Sequence, residues 1–157
     1  MPEQILKNVF GYDSFRAGQL DVVNTLVARE NALIVMPTGS GKSLCFQVPS
    51  LLMGGLTIVV SPLVALMEDQ VAALKLAGVD ADTINSSRER QVNVAAWKKA
   101  AAGETRLLYM APERLMTDRM LDALSQLPVK LIAVDEAHCM SRWGPSFRPD
   151  YEALIRL

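Results

Sequence analysis

One glycine-rich stretch constrains the fold of this chain more than any other: residues 36–43, with the sequence M-P-T-G-S-G-K-S. It follows the apolar run Ala32–Val35 and precedes a helix-compatible segment, Leu44–Val48. A buried strand that runs into a glycine turn and then a helix forms a cradle for phosphate. Glycine lets the backbone turn through positive φ, and the N–H groups of the turn point at the anion. The stretch therefore predicts a nucleotide-binding loop of the P-loop type.

The polar residues of this loop have separate expected roles. Lys42 is placed to reach the β- and γ-phosphates, and the Ser43 hydroxyl can ligate a Mg²⁺ ion shared with those oxygens. The general P-loop pattern opens with a glycine, whereas this chain has Met36 there. A glycine-rich surface turn with an exposed lysine is the alternative interpretation. The residues expected to hold the nucleotide here are Thr38, Gly39, Ser40, Gly41, Lys42 and Ser43.

A second apolar run, Leu131–Val134, ends in the adjacent carboxylates Asp135 and Glu136. Two carboxylates at the end of a buried strand are costly unless a cation or hydrogen bonds compensate them. The crevice at the strand ends is also where open α/β sheets bind ligands. We expect Asp135 to hold Mg²⁺, through water, and Glu136 to orient and deprotonate the attacking water. With the glycine loop, this pair predicts hydrolysis of a nucleoside triphosphate.

Composition limits the other classes of function. The 157 residues fit about one domain, and half of them are hydrophobic, as in a globular protein. A net charge of −1 gives no overall basic field, although a local groove can still bind nucleic acid. Cys45 and Cys139 lack metal-ligand spacing and are expected to be reduced and buried. The longest apolar stretch is broken at Ser61 and Pro62 and is shorter than the ~20 residues of a membrane span, so a cytoplasmic protein is expected.

Apolar runs alternate with helical patterns along the chain. Strands are expected at 32–35, 56–60, 81–85, 106–110 and 131–134, and helices at 2–9, 17–29, from 44 onwards, 63–77, 86–102 and 118–127. Ser86 and Ser87 are expected to cap the helix that ends before Gly103, and Gly78 to close the helix before it. The alternation predicts an α/β fold with a parallel sheet covered by helices on both faces. One edge of this sheet would gather Lys42, Ser61, Asn85, Glu113 and Asp135.

Two further segments leave alternatives open when their residues are taken alone. Residues 10–19 are typical of an aromatic-capped junction between two helices. In the segment 139–151, Trp143, Phe147 and Tyr151 alternate with Arg142 and Arg148. Such side chains suit stacking on unpaired bases, at ~1–3 kcal/mol per base. They equally suit packing of the aromatic rings over a helix end.

Taken together, these segments resemble the first motor domain of the RecQ-family DNA helicases, within helicase superfamily 2. The resemblance covers essentially all 157 residues. Its most specific parts are F-G-Y-D-S-F-R-A-G-Q at 10–19, M-P-T-G-S-G-K-S at 36–43, S-P-L-V-A-L-M-E-D-Q at 61–70, A-P-E-R-L at 111–115, D-E-A-H at 135–138 and S-R-W-G-P-S-F-R-P-D-Y at 141–151.

The resemblance implies a RecA-like P-loop NTPase domain that uses ATP and Mg²⁺. Residues 1–30 would form N-terminal helices with an adenine-recognition motif, and residues 31–157 the P-loop core. Arg16 and Gln19 would contact adenine. The catalytic residues would be Lys42, Asp135, Glu136 and His138, and His138 would also carry the signal of bound DNA to the Asp135-Glu136 pair. The segments 61–63 and 85–86 and a turn at 112–114 would contact the DNA backbone, largely through main-chain and hydroxyl donors. The residues that would contact single-stranded or tailed duplex DNA are Ser61, Asn85, Arg114, Trp143, Phe147, Arg148 and Tyr151.

The family enzyme unwinds DNA in the 3′-to-5′ direction in recombination and repair, which in a bacterium implies association with the nucleoid. Two departures limit the comparison. Pro145 and Ser146 replace the His-Asp usual in the family loop, and no second motor domain follows up to Leu157. We therefore expect these residues alone to bind ATP weakly, to hydrolyse it poorly and not to unwind DNA. The alternatives are an RNA helicase of superfamily 2, a self-contained P-loop kinase or GTPase, and a nucleotide-binding module without turnover.

Overall fold

A computed structural model of the chain describes residues 2–28, 43–61, 63–115 and 117–134. Within these ranges the helices are α1 Pro2–Asn8, α2 Gln19–Val27, α3 Leu44–Met53, α4 Val64–Leu76, α5 Arg90–Ala101, α6 Pro112–Leu115 and α7 Asp118–Ser125. The strands are β1 Leu56–Val60, β2 Ala81–Ile84, β3 Leu107–Met110 and β4 Val129–Val134. The predicted alternation of strands and helices is confirmed in these residues. The predicted strand at 32–35 lies outside them.

The four strands form a parallel sheet in the order β2-β3-β1-β4. Val60 of β1 pairs with Met110 of β3 and with Val134 of β4, and Met110 also pairs with Ile84 of β2. The last residues of all four strands are therefore in register. Since parallel strands run in the same direction, the residues that follow them begin at one edge of the sheet.

Helices cover both faces of this sheet, as predicted. On one face, Ile58, Val60, Leu108 and Met110 pack with residues of α5 and α7. On the other face, Val59, Leu107 and Tyr109 pack with residues of α3 and α4. The alternation of successive residues between two apolar layers follows from the two-residue period of a strand. It explains why β1 and β3 are apolar at nearly every position and fully buried.

The N-terminal helices pack against α3. Leu6 of α1, Val23 of α2 and Val48 of α3 form a separate buried cluster. Since α3 is the helix that follows the predicted phosphate loop, this cluster joins the segment 10–19 to the same part of the domain. No helix in the described ranges is long and apolar enough to cross a bilayer.

Two local predictions are corrected. α5 begins at Arg90 and not at Ser86 or Ser87, and its N-cap residue is Glu89. The Ser87 N–H donates to Asn85 Oδ1 at 3.0 Å and the Arg88 N–H to the Asn85 carbonyl at 3.3 Å, so the chain makes a turn before the helix starts. In addition, Pro112–Leu115 forms a short helix where a turn was expected. Gly78 closes α4 with φ +84°, as predicted.

Candidate nucleotide and DNA sites

Ser43 lies at the start of α3 as the magnesium prediction requires. Its carbonyl accepts the first hydrogen bonds of the helix, from the N–H groups of Phe46 at 3.3 Å and Gln47 at 2.9 Å. Its hydroxyl makes no capping hydrogen bond within the described residues. A hydroxyl that is not consumed by capping can ligate a cation, and the positive end of the helix favours the anionic phosphate that would share this cation.

Arg16 and Gln19 are brought together by a tight turn at the start of α2. Gln19 Oε1 accepts a hydrogen bond from the Arg16 N–H at 2.7 Å, and the Gln19 N–H donates to the Arg16 carbonyl at 3.1 Å. Gly18, between them, has φ +85°, a left-handed conformation that disfavours other residues. Gln19 is 1% exposed whereas Arg16 is exposed. The amide of Gln19 therefore fixes the backbone that presents Arg16.

An open cleft of about 330 Å³ lies against this turn. Phe15 and Arg16 line it, together with the carboxylates of Glu3, Asp13 and Asp21. Three carboxylates against one guanidinium give this lining a net negative charge, and carboxylates accept hydrogen bonds from donors such as an amino group.

Ser61 and Asn85 follow β1 and β2 at the carboxyl edge of the sheet, as predicted, but both are only 1% exposed. Ser61 donates its N–H to the Met110 carbonyl at 3.2 Å, and its Oγ accepts from the N–H of Leu63 at 3.3 Å. Leu63 itself is 48% exposed. Ser61 thus continues the sheet by one residue, and its hydroxyl stabilises the turn that exposes Leu63.

The Asn85 side chain is used inside the domain. Its Nδ2 donates to Glu68 Oε1 at 3.0 Å and to Thr83 Oγ1 at 3.2 Å, while its Oδ1 accepts from the Ser87 N–H. Asn93 of α5 donates from Nδ2 to the Asn85 carbonyl at 2.9 Å. Asn85 therefore holds a turn whose exposed members are Ser86 and Ser87.

Arg114 lies on α6, directly after β3, and is partly exposed. The next residue, Leu115, is fully buried and anchors this short helix in the core beside Leu108 and Met110. Arg114 is thus held at the same edge of the sheet as Ser61 and Asn85. These three positions are the part of the predicted DNA surface that the structure describes.

An ion-pair network beside Asn85 was not predicted. The Arg88 guanidinium donates to both carboxylate oxygens of Glu68, at 3.0 and 2.9 Å, and to Asp82 Oδ1 at 2.8 Å. It also donates to the Thr83 carbonyl at 3.2 Å. Arg88 therefore ties the segment after β2 to α4. In the sequence these residues resemble ordinary surface charges, because nothing in their spacing indicates a bidentate pair.

The network shifts the ionisation of its members. The hydrogen bond from Arg88 lowers the pKa of Glu68 below its usual value, assisted by the hydrogen bond from Asn85 and against a smaller effect of burial. The hydrogen bond to Glu68 likewise raises the pKa of Arg88. Both groups are therefore charged at neutral pH. Elsewhere, burial raises the pKa of the Cys45 thiol, which is buried and not in a disulfide.

The other predicted site residues lie outside the described ranges. They are Thr38, Gly39, Ser40, Gly41 and Lys42 of the glycine loop, Asp135, Glu136 and His138 of the acidic segment, and Trp143, Phe147, Arg148 and Tyr151 of the aromatic segment. The described strand β4 ends at Val134, the residue before Asp135.

The DEAD/DEAH box helicase family matches residues 16–157 of the chain. The chain belongs to this family. The predicted resemblance to RecQ helicases is also confirmed by curated relatives. "ATP-dependent DNA helicase RecQ" of Haemophilus influenzae is 48% identical over 150 residues, which are 96% of this chain and 24% of that protein. The protein of the same name from Bacillus subtilis is 44% identical, over 97% of this chain and 26% of its own length.

A mouse relative, "ATP-dependent DNA helicase Q1", is 41% identical over 97% of this chain and 24% of its own length. The chain thus spans about a quarter of the length of these relatives. Among solved structures, a hypothetical ATP-dependent RNA helicase from Sulfolobus tokodaii matches 99% of this chain and 47% of its own chain, with a TM-score of 0.78. At 19% identity, this match shows a shared helicase-domain fold alone.

Proposed function

We propose that this chain is the ATP-binding motor half of an ATP-dependent DNA helicase of the RecQ type. The complete enzyme would couple ATP hydrolysis to 3′-to-5′ unwinding of single-stranded or tailed duplex DNA, in recombination and repair. This activity would require a second motor domain. In a bacterial cell, the enzyme would work in the cytoplasm, in association with the nucleoid. The observation that carries the proposal is the identity of 41–48%, along nearly the whole chain, with relatives named as DNA helicases.

The described geometry supports the nucleotide half of this proposal. Ser43 at the start of α3 would ligate Mg²⁺ together with Asp135, and Lys42 would reach the phosphates. The bound ion would neutralise charge on the phosphate oxygens. Glu136 would hold the attacking water and accept its proton. Arg16 and Gln19 would contact the adenine ring, with Arg16 reaching it from the cleft beside α2.

The common edge of the sheet supports the DNA half. Val60, Ile84 and Met110 end their strands in register, so the segments after them lie side by side. Because the side chains of Ser61 and Asn85 are buried, we propose that the protein contacts the DNA strand at these positions through main-chain groups and through the exposed residues Leu63, Ser86 and Ser87. Arg114 would add a charged contact to a phosphate. The segment 143–151 would stack on unpaired bases, and His138 would link it to the acidic pair.

The test is ATP hydrolysis by the full-length protein with single-stranded DNA, with RNA of the same sequence and without nucleic acid. Stronger stimulation by DNA supports the proposal, stimulation by RNA alone favours an RNA helicase, and turnover indifferent to both favours a self-contained NTPase. Glu136→Gln is expected to lower turnover at least about 100-fold with ATP still bound. Glu104→Gln, at an exposed position before β3, is the control. Unchanged turnover in Glu136→Gln would contradict the catalytic assignment.

A further inference from the structure

A chain of hydrogen bonds passes through the buried hydroxyl of Tyr109. The Gln47 side-chain amide donates from Nε2 to the Tyr109 hydroxyl at 3.1 Å, and this hydroxyl donates to Gln70 Oε1 at 2.8 Å. Tyr109 is 1% exposed and Gln47 is 6% exposed. Donors and acceptors alternate along this chain, so each bond polarises and strengthens the next.

The three residues come from three elements with different expected tasks. Gln47 lies on α3, one turn after Ser43, and its own N–H donates to the Ser43 carbonyl. Gln70 lies on α4, which begins just after the edge segment that contains Ser61 and Leu63. Tyr109 lies on β3, one residue before Met110, whose carbonyl accepts the Ser61 N–H. These hydrogen bonds therefore connect α3, the helix of the proposed nucleotide site, with α4, the helix that follows the segment proposed to contact DNA.

Packing of the tyrosine ring does not account for this arrangement. The ring makes an edge-on contact with Phe46, with centroids 6.5 Å apart and an interplanar angle of 61°. That contact uses only the ring and would be equally available to phenylalanine. The hydroxyl requires a polar partner in the core. In this fold it is bonded to side chains of two different helices, where one partner would have been enough.

These bonds are sensitive to small displacements of α3 or α4. Both lie near 3 Å, and a shift of about 1 Å along either helix takes a hydrogen bond beyond its useful range. A closely packed core passes such a shift on instead of absorbing it. A nucleotide that moved α3 through Ser43 would therefore change the bond to Tyr109, and through it the position of α4.

We propose that the Tyr109 hydroxyl is a positioning group that couples nucleotide at the Ser43 end of α3 to DNA at the start of α4. The inference rests on the proposed function. It predicts that removal of the hydroxyl leaves each site intact and weakens the dependence of one site on the other. Coupling energies between sites typically correspond to factors of about 5 to 150 in affinity.

The test is Tyr109→Phe in the full-length protein, with Thr57→Val as the matched control. Thr57 lies on β1, is fully buried, and its hydroxyl has no hydrogen-bond partner among the described residues. Both variants thus delete one buried hydroxyl from a central strand. The readouts are basal ATP turnover, its stimulation by single-stranded DNA, and DNA affinity with and without a non-hydrolysable ATP analogue.

For Tyr109→Phe we expect basal turnover within about twofold of wild type and a loss of at least about fivefold in the stimulation by DNA. The effect of the ATP analogue on DNA affinity should fall by a similar factor. Thr57→Val should retain both. Gln70→Leu, which removes the acceptor at a partly exposed position, should reproduce the loss and provides a second variant if Tyr109→Phe folds poorly.

Wild-type stimulation and coupling in both Tyr109→Phe and Gln70→Leu would overturn the inference, with the proposed function intact. A wild-type protein whose turnover ignores DNA would overturn the proposed function itself, and the inference with it. An equal loss in Thr57→Val would also overturn the inference, since it would trace the effect to any deletion in the sheet.

Discussion

Replacement of Arg88 by glutamine tests whether the ion-pair network stabilises the domain. The guanidinium makes four hydrogen bonds of 2.8–3.2 Å, two to Glu68, one to Asp82 and one to the Thr83 carbonyl. Glutamine keeps much of the aliphatic stem but loses the charge and the bidentate geometry. The carboxylates of Glu68 and Asp82 would then lie close together without a cation between them.

The size of the effect follows from the exposure of the partners. The side chains are 21% exposed for Arg88, 37% for Glu68 and 16% for Asp82. Exposed ion pairs contribute about 0.2–1 kcal/mol, whereas removal of one partner from a buried pair costs about 3–5 kcal/mol. For this partly buried network we expect a loss of about 1.5–3 kcal/mol in the free energy of unfolding. In a domain of this size, that lowers the melting temperature by about 4–10 °C.

The assay is thermal and urea unfolding of the 157-residue chain, with Arg90→Gln as the control. Arg90 is exposed at the first position of α5, where the helix dipole disfavours a positive charge, so its loss should be neutral or slightly stabilising. A double-mutant cycle with Glu68→Gln should give a coupling energy above about 1 kcal/mol. Coupling below about 0.3 kcal/mol, with a melting temperature equal to that of Arg90→Gln, would refute the reasoning.

Three further predictions follow from the described residues. Because the pKa of Glu68 is lowered in the folded state, its contribution is complete above the ordinary carboxyl pKa and is lost as pH falls through the lowered value. The stability difference between wild type and Glu68→Gln should therefore shrink as the pH falls below the ordinary carboxyl pKa. Gly55→Ala should destabilise the domain more than Gly78→Ala in urea unfolding, since both have positive φ but only at Gly55 would a Cβ lie 2.6 Å from the Pro128 carbonyl oxygen. Gln19→Ala should weaken ATP binding at least about fivefold in titration calorimetry, because it removes the acceptor of the Arg16 N–H. Unchanged ATP affinity would contradict a role of this turn in ATP binding.

The fold was predictable because its signals are local and repeated. Leu56–Val60 is apolar at every position except Thr57 and rich in β-branched residues, and β1 has these same bounds. The positions of Ser61 and Asn85 at one edge followed from strand direction alone. The start of α5 was not predictable in this way, because the Asn85 side chain competes with Ser86 and Ser87 for the backbone N–H groups. That competition depends on Glu68 and Asn93, which are distant in sequence and hold Asn85 in place.

The position of α4 illustrates why the polar contacts of the site escaped prediction. Met67, Val71 and Leu74 recur at helical spacing and pack against the sheet. At 100° per residue, Glu68 and Gln70 fall on opposite sides of this apolar stripe. Glu68 is bonded to Arg88 and Asn85 on one side and Gln70 to Tyr109 on the other. A rotation of α4 about its axis would strain the hydrogen bonds on both sides of the helix. When a neighbouring element shifts, we therefore expect α4 to move with it as a unit, without rotating about its axis. A pattern of hydrophobic residues reveals the stripe but not its flanking partners, because those come from separate elements that only the folded sheet brings together.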